Sequence, residues 1–468
     1  MLFRSHGFSA ELAATTALET AHSRQMKFPA YPKYKPSGVE WLGDVPEKWN
    51  VKRLKYSATI NDEALPETTA PDFEFRYVDI GGVDAVNGIV AVEEMVFENA
   101  PSRARRVVRD GDTIVSTVRT YLRAIAPIKN PPDNLIVSTG FAVVRPRSVE
   151  PDFLSYAICE SSFIETVVAR STGVSYPAVN TSEVGTIPIP LPSPKEQQAI
   201  ADFLDAQTAR LDALLTKRRA LIEKLSEKRT ALISRTVTRG LNPKAKCKPS
   251  GVEWLGDIPF DWTRTRLKRV ASVCGRIGFR GYTTDDLVDE GEGALALGGA
   301  NLTDVGRLDL AKRTYISWPK YEESPEIKVE TNDLLIGQRG TCGNVVIIDS
   351  DIGPATINPS LVLLKRHRIN SHFLCYWMMG RLVQSVFETY LSTTAVPMLT
   401  QEQIGNVLVC VPPLAEQIAI VEFLDRETAK LDLMMAKVEA AIGKLQEYRT
   451  ALITAAVTGK IDVRKAAA

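Results

Sequence analysis

Beyond Thr428 the apolar positions Leu431, Met435, Val438, Ile442, Leu445 and Leu452 advance by fours and threes, with one final step of seven. Ile420 and Leu424 extend the row upstream. A 3.5-residue period is the seam of helices packed as a coiled coil. The same pattern is written earlier, at Ile200, Leu204, Leu211, Leu215, Ile222, Leu225 and Leu232. Each stretch runs for ~40 residues without an internal proline, ~60 Å of helix. Pro194 and Pro413 stand at the starts, where proline is tolerated, and Gly240 and Gly459 close the ends. Arg229 and Arg449 fall on the seam and must snorkel or find a carboxylate. Over positions 196–238 and 416–458 the two stretches share 24 identities in 43. One period in both copies predicts that the helices pair, although separate packing of each on its own domain stays open.

The duplication reaches further back. "KPSGVEWLGD" begins at Lys35 and again at Lys248, a shift of 213, so that Trp41 and Trp49 correspond to Trp254 and Trp262. Between box and helix the pattern changes to short alternating runs read as strands. "RDGDTIVSTVR" from Arg109 aligns with "ETNDLLIGQRG" from Glu330, and "IVSTGFAVVRP" with "TINPSLVLLKR". "PDFLSYAICESSFIETVVA" and "SHFLCYWMMGRLVQSVFET" each follow as one amphipathic helix. The order is therefore box, variable domain, helix, twice. About eight residues separate Gly240 from Lys248, at most ~30 Å when extended. That is half a helix length, which favours antiparallel helices with a domain at either end. The fold class predicted is α/β: two small mixed α/β domains separated by an antiparallel coiled coil of two long helices, a tandem repeat with pseudo-twofold symmetry.

A chain of 468 residues holds two or three domains, and 44% apolar with 24% charged residues is the balance of a soluble globular protein. No apolar run approaches the ~20 residues that span a bilayer. The N-terminal stretch lacks the apolar core of a signal peptide and carries Glu11 and Glu19, so neither export nor mitochondrial import is expected. The six cysteines contain no C-x-x-C and the four histidines no cluster; reduced thiols are expected and no metal site. "NPPD" from Asn130 is similar to the Asn-Pro-Pro-aromatic loop that grips a flipped adenine, but Asp133 stands where the ring belongs. No phosphate-binding G-x-x-x-x-G-K-[ST] motif occurs, and "EIK" from Glu326 lacks a spaced acidic partner. No catalytic residue is assigned.

Net charge is +1, less basic than a chain that grips nucleic acid alone. Arginines nonetheless gather in predicted turns. Arg103, Arg105, Arg106, Arg119 and Arg123 of the first domain, with Arg276, Arg280 and Arg339 of the second, are the candidates for DNA contact, because arginine reads guanine bidentately or holds phosphate. For any single one, a solvated surface charge or salt bridge is the competing reading.

Box, variable domain and long helix, twice over, with "SGVEWLGDVPEKW" and its repeat, and "IPIPLPSPKEQQAIADFLD" with its partner "VLVCVPPLAEQIAIVEFLD", resembles the specificity subunit of type I DNA restriction–modification systems. The resemblance covers Met26 to Ile461. It implies target recognition domains at 26–193 and 241–413, spacer helices at 194–240 and 414–461, and a short tail at 462–468. Each domain would read half of a bipartite asymmetric duplex target, and the helices would set the unread spacing. Two methyltransferase (modification) subunits carrying S-adenosylmethionine would dock on the helices, and two ATP- and Mg-dependent restriction (motor-nuclease) subunits would join them, all in the cytoplasm. This chain would itself hold no cofactor and no metal. Residues 1–25 are expected to be a start-site artefact or a disordered tail. Two other classes stay open: a self-contained DNA-modifying enzyme, and a coiled-coil scaffold deficient in DNA binding, or an orphan specificity subunit serving methylation only.

Overall fold

Two long helices organise the chain: Pro194–Arg239, of 46 residues, and Leu414–Val457, of 44. The computed structural model describes residues 28–84, 87–173, 176–276, 281–303, 305–392 and 397–465, so the 1–25 extension and Arg280 lie outside the described residues. The chain divides into unit 1, Met1–Lys217 with Ala441–Ala468, and unit 2, Arg218–Ala440. Each unit therefore holds one variable domain and part of both helices, a division that the linear repeat order does not suggest.

In unit 1, Ile200 and Leu204 of the first helix share a core with Leu452, Ile453, Ala456 and Val457 of the second. Further along, Arg449 Nε lies 3.4 Å from Asp212 Oδ1. In unit 2 the roles exchange. Ile233 and Val237 of the first helix pack with Ile420 and Leu424 of the second, and Arg229 Nε donates to Asp432 Oδ1 at 2.9 Å. Rising numbers on one helix meet falling numbers on the other, so the helices run antiparallel within each unit. Both seam arginines face a carboxylate, but only Arg229 hydrogen-bonds to it; Arg449 Nε has no hydrogen-bond partner among the described residues. Arg229 adds a bond from Nη2 to the Val305 carbonyl at 2.9 Å. Every seam position predicted from the period is buried or half-buried.

The repeated decapeptide folds as a hairpin, Tyr34–Pro36 with Asp44–Pro46 in unit 1 and Cys247–Pro249 with Asp257–Pro259 in unit 2. Gly38 and Gly43, like Gly251 and Gly256, take φ between 62° and 75°, a region closed to most side chains. The hairpin leads to a fully buried tryptophan, Trp49 or Trp262. Against it ends the long helix of the other repeat: a Cβ on Gly459 would collide with Pro46 and press Trp49, and one on Gly240 would press Trp262 and Glu416. Each box is thus the socket for a helix C-terminus. Anchors at the helix starts recur at a shift of 220, that of the long helices. Gln197 accepts the Glu150 N–H and Gln417 the Asn370 N–H. Tyr156 donates to Asp205, and Tyr376 to Asp425, each at 2.6 Å. Burial and those carboxylates push both phenol pKa values upward.

Among the described residues each variable domain carries two four-stranded sheets. The first has one order in both: Ile125–Pro127, Thr113–Ser116, Phe141–Pro146, Ala58–Ile60 in domain 1, and Val345–Ile347, Leu334–Gly337, Leu361–Lys365, Ser272–Gly275 in domain 2. The second shares three strands, including a parallel pair, Glu74–Val78 with Leu135–Ser138 and Gly293–Leu297 with Ala355–Ile357. It differs at the edges. Domain 1 adds Ala104–Val107 beside Leu135–Ser138; domain 2 adds Leu287–Val288 at the opposite edge, beside Tyr315–Ser317. The single helix expected after the sheets is in fact two in each copy: Pro151–Ile158 and Ser161–Ala169, then Ser371–Met379 and Arg381–Ser392. Glu160 breaks the first run because its carboxylate caps the next helix, accepting from the Ser162 and Phe163 N–H groups; Gly380 ends the equivalent run in domain 2.

Candidate nucleic-acid interface

At one end of domain 1, backbone bonds tie several loops together. Thr139 N–H donates to the Arg103 carbonyl at 2.7 Å, Thr117 N–H to Gly140 at 2.8 Å, and Arg119 N–H to Pro177 at 2.8 Å. Arg103 and Arg119 therefore stand at the same end. Arg103 is exposed; its Nη2 donates to Asp79 at 3.0 Å and its Nε to the Tyr77 hydroxyl at 3.3 Å, contacts that raise its pKa. Arg105 and Arg106, expected in a turn, instead lie half-buried on the edge strand particular to this domain, where Ala104–Val107 pairs with Leu135–Ser138. Arg105 sits 4.5 Å over the Phe97 ring and donates to the Ala104 carbonyl. Arg106 is half-buried, its Nε has no hydrogen-bond partner among the described residues, and burial lowers its pKa.

Arg119 and Arg123 flank the turn Thr120–Leu122 and both have a φ of 52°. Arg119 lies 5.1 Å over the Tyr176 ring, and Arg123 pairs with Glu165. Thr120 is buried between them, its hydroxyl 2.7 Å from that of Ser171.

In domain 2 the equivalent turn spans 338–344. Bridges fix the equivalence: Val118 pairs with Ala178, and Arg339 with Met398. Arg339 is exposed, with Nε 3.0 Å from Met398 Sδ. Arg276 requires a correction. It is only 5% exposed, and it donates to the Ile357 carbonyl at 2.9 Å and to Thr356 Oγ1 at 3.1 Å. Burial lowers its pKa. Its guanidinium braces the strand Ala355–Ile357, because Arg276 directly follows the strand Ser272–Gly275 and its side chain is buried against the sheet instead of standing in an exposed turn.

Sequence reasoning passed over three exposed side chains at the domain 1 end, Tyr121 at 55%, Leu122 at 41% and Tyr176 at 66%. Apolar letters in a strand-rich stretch read as core. The one available signal was the alignment of Arg119 with Gly340, an arginine written where the other copy uses glycine.

Guanidinium groups beside exposed rings suit phosphate and base edges. Among the described residues there is no cluster of His, Cys, Asp or Glu able to hold a metal ion, and no helix long and apolar enough to cross a membrane. The six cysteines are free, and burial pushes the Cys375 thiol pKa up to about 12.

Fold and site together define a duplicated recognition scaffold, two like domains each coupled to a long helix. The model for the type I restriction modification DNA specificity domain matches residues 46–224 and 306–442, and the chain belongs to that family. A Methanocaldococcus jannaschii protein named "Putative type I restriction enzyme MjaX specificity subunit" is 22% identical over 90% of this chain and 96% of its own length. The MjaVIII specificity subunit of the same organism is 22% identical over 70% of this chain and 75% of its own. Among solved structures, a chain from the "Structural basis underlying complex assembly and conformational transition of the type I R-M system" covers 88% of this chain and 98% of its own, with 25% identity and a TM-score of 0.66. The chain is a DNA specificity subunit of a type I restriction–modification system, a role without catalysis.

Proposed function

We propose that each recognition domain reads one half of a bipartite, asymmetric duplex target, and that the two antiparallel helices hold a set number of unread base pairs between the halves. The duplication carries this reading: one sheet order is used twice, with different edges and different turns, and each copy feeds a long helix. Two half-sites multiply discrimination, because each mismatched base pair costs ~1–3 kcal/mol. Two methyltransferase subunits dock along the helices and bring S-adenosylmethionine; two motor-nuclease subunits bring the ATP and Mg chemistry. A net charge of only +1 fits a chain whose partners share the grip on phosphates. The complex works in the cytoplasm, where the host DNA is.

The test is to remove one heptad from both helices at matched positions and to sequence the methylated sites made by the reconstituted complex. Seven residues are ~10 Å of helix, so the unread spacing shortens by ~3 base pairs at ~3.4 Å each, with both half-sites unchanged. An unaltered spacing removes the ruler from the proposal. Reconstituted wild-type complex that fails to retard any duplex makes the chain a scaffold without DNA binding.

A further inference from the structure

We propose that Tyr121 and Leu122 are specificity-determining residues of recognition domain 1, an apolar wedge that packs against base edges in the groove of its half-site. The inference rests on the half-site reading above. Two domains that share a scaffold yet read different sequences must differ at the positions that touch bases. The turn between the first two strands of the shared sheet is such a position. Its base is the same in both copies, held by the Val118–Ala178 and Arg339–Met398 bridges. Its tip is not. Counting from the paired strands, Arg119 falls where domain 2 has Gly340, and Arg123 where it has Gly343. Both glycines take a left-handed φ, 75° and 85°, and both arginines take the same region at 52°. Glycine occupies that region freely, whereas arginine must be forced into it. Domain 1 thus keeps a strained backbone that its own sister domain relaxes.

What that backbone presents is unusual. Domain 1 has one residue more between the two left-handed positions, and the extra length carries Tyr121 and Leu122 outward, 55% and 41% exposed. The turn is braced from behind by the Leu122 N–H to the Arg119 carbonyl and the Arg123 N–H to Thr120, both at 2.9 Å. In domain 2 the tip residue Cys342 folds back, half-buried, with Sγ 3.1 Å from the Gln338 carbonyl. Strain that persists in a braced turn marks a functional position. The occupant follows from the company: exposed apolar side chains on a turn that begins at Arg119, whose guanidinium lies over the exposed Tyr176 ring, suit a partner that is anionic outside and apolar at its edges. Duplex DNA has both, and apolar side chains read the thymine methyl in the major groove.

The experiment uses the full chain assembled with its methyltransferase subunits. Binding to the methylated motif's duplex and genome-wide methylation are compared for wild type and Tyr121→Ser/Leu122→Ser. The expected result is about tenfold weaker binding, with methylation relaxed at one or two letters of a single half-site. The other half-site, the spacing and the salt dependence stay as in wild type. Melting should not move, since both side chains are exposed; if the double variant misfolds, Leu122→Ser alone carries the same test. Full affinity with an unrelaxed motif overturns the wedge. If wild type itself methylates no two-part motif, the half-site reading falls first and this inference with it.

Discussion

The two helix sockets are alike in plan and unlike in wiring. In unit 2, Trp262 Nε1 donates to Glu416 at 2.9 Å. In unit 1 the equivalent carboxylate, Glu196, accepts instead from the Tyr31 hydroxyl at 2.8 Å and lies 3.6 Å from Arg464, leaving the Trp49 indole N–H without a partner among the described residues. Burial and the neighbouring Glu196 push the Tyr31 phenol pKa upward. The reason is connectivity. In unit 2 the helix end runs straight on into its box, whereas in unit 1 the residues before the box and those after the helix come from the two ends of the chain. Tyr31, Asp462 and Arg464 knit those segments together: the Asp462 N–H donates to the Pro29 carbonyl at 2.7 Å, and the Arg464 guanidinium, held by Asp462, lies 5.0 Å over the Tyr31 ring. A duplicated support can thus be rewired locally while its large buried parts stay in register.

The largest effect should come from the tryptophans. Replacing either fully buried indole by alanine costs ~3–5 kcal/mol, and Trp262→Ala should exceed Trp49→Ala by ~1 kcal/mol because only the former breaks a hydrogen bond to a carboxylate. Denaturant melts of the two variants would break the comparison if they came out in reverse order. Next are the mirrored ion pairs. Arg229 is 11% exposed and holds both Asp432 and a carbonyl, whereas Arg449 is 28% exposed and meets an Asp212 that is 56% exposed. Arg229→Ala should cost ~2 kcal/mol and Arg449→Ala under ~1 kcal/mol, read as shifts in the unfolding midpoint. The smallest effect concerns the strained turn. Arg119→Gly should leave stability within ~1 kcal/mol, because relief of the left-handed strain offsets the backbone entropy of glycine. If Arg119 holds a phosphate, the salt slope of DNA binding falls by ~0.9; an unchanged slope would show that its charge serves only the Tyr176 ring.

Much of this was readable in advance. The helix starts, the seam and the opposed directions follow from periodicity, from proline positions and from the reach of an eight-residue gap, all of them short-range properties of the chain. The second helix, expected to reach 461, instead ends at Val457, because Gly459 turns into the left-handed region at φ 75°. The doubled plan needed only two letters strings to be compared. The candidate interface was less legible. Arg103, Arg119 and Arg339 could be named because arginine in a turn is exposed more often than not, yet the same rule misplaced Arg276, whose acceptors at Thr356 and Ile357 lie some eighty positions away. The breaks at Glu160 and Gly380 escaped because an apolar face continues across them, and only a cap chosen in three dimensions divides it.

By itself, then, the order of residues determined that there are two copies, that each ends in a long helix, and that the helices have matching seams. Tertiary structure alone decided that each box receives the helix of the other repeat, which carboxylate each seam arginine meets, and which arginines face outward. The physical reason is range: periodicity and turn chemistry act over a few residues, whereas burial and partner choice depend on groups brought together from positions as distant as Tyr34 and Gly459.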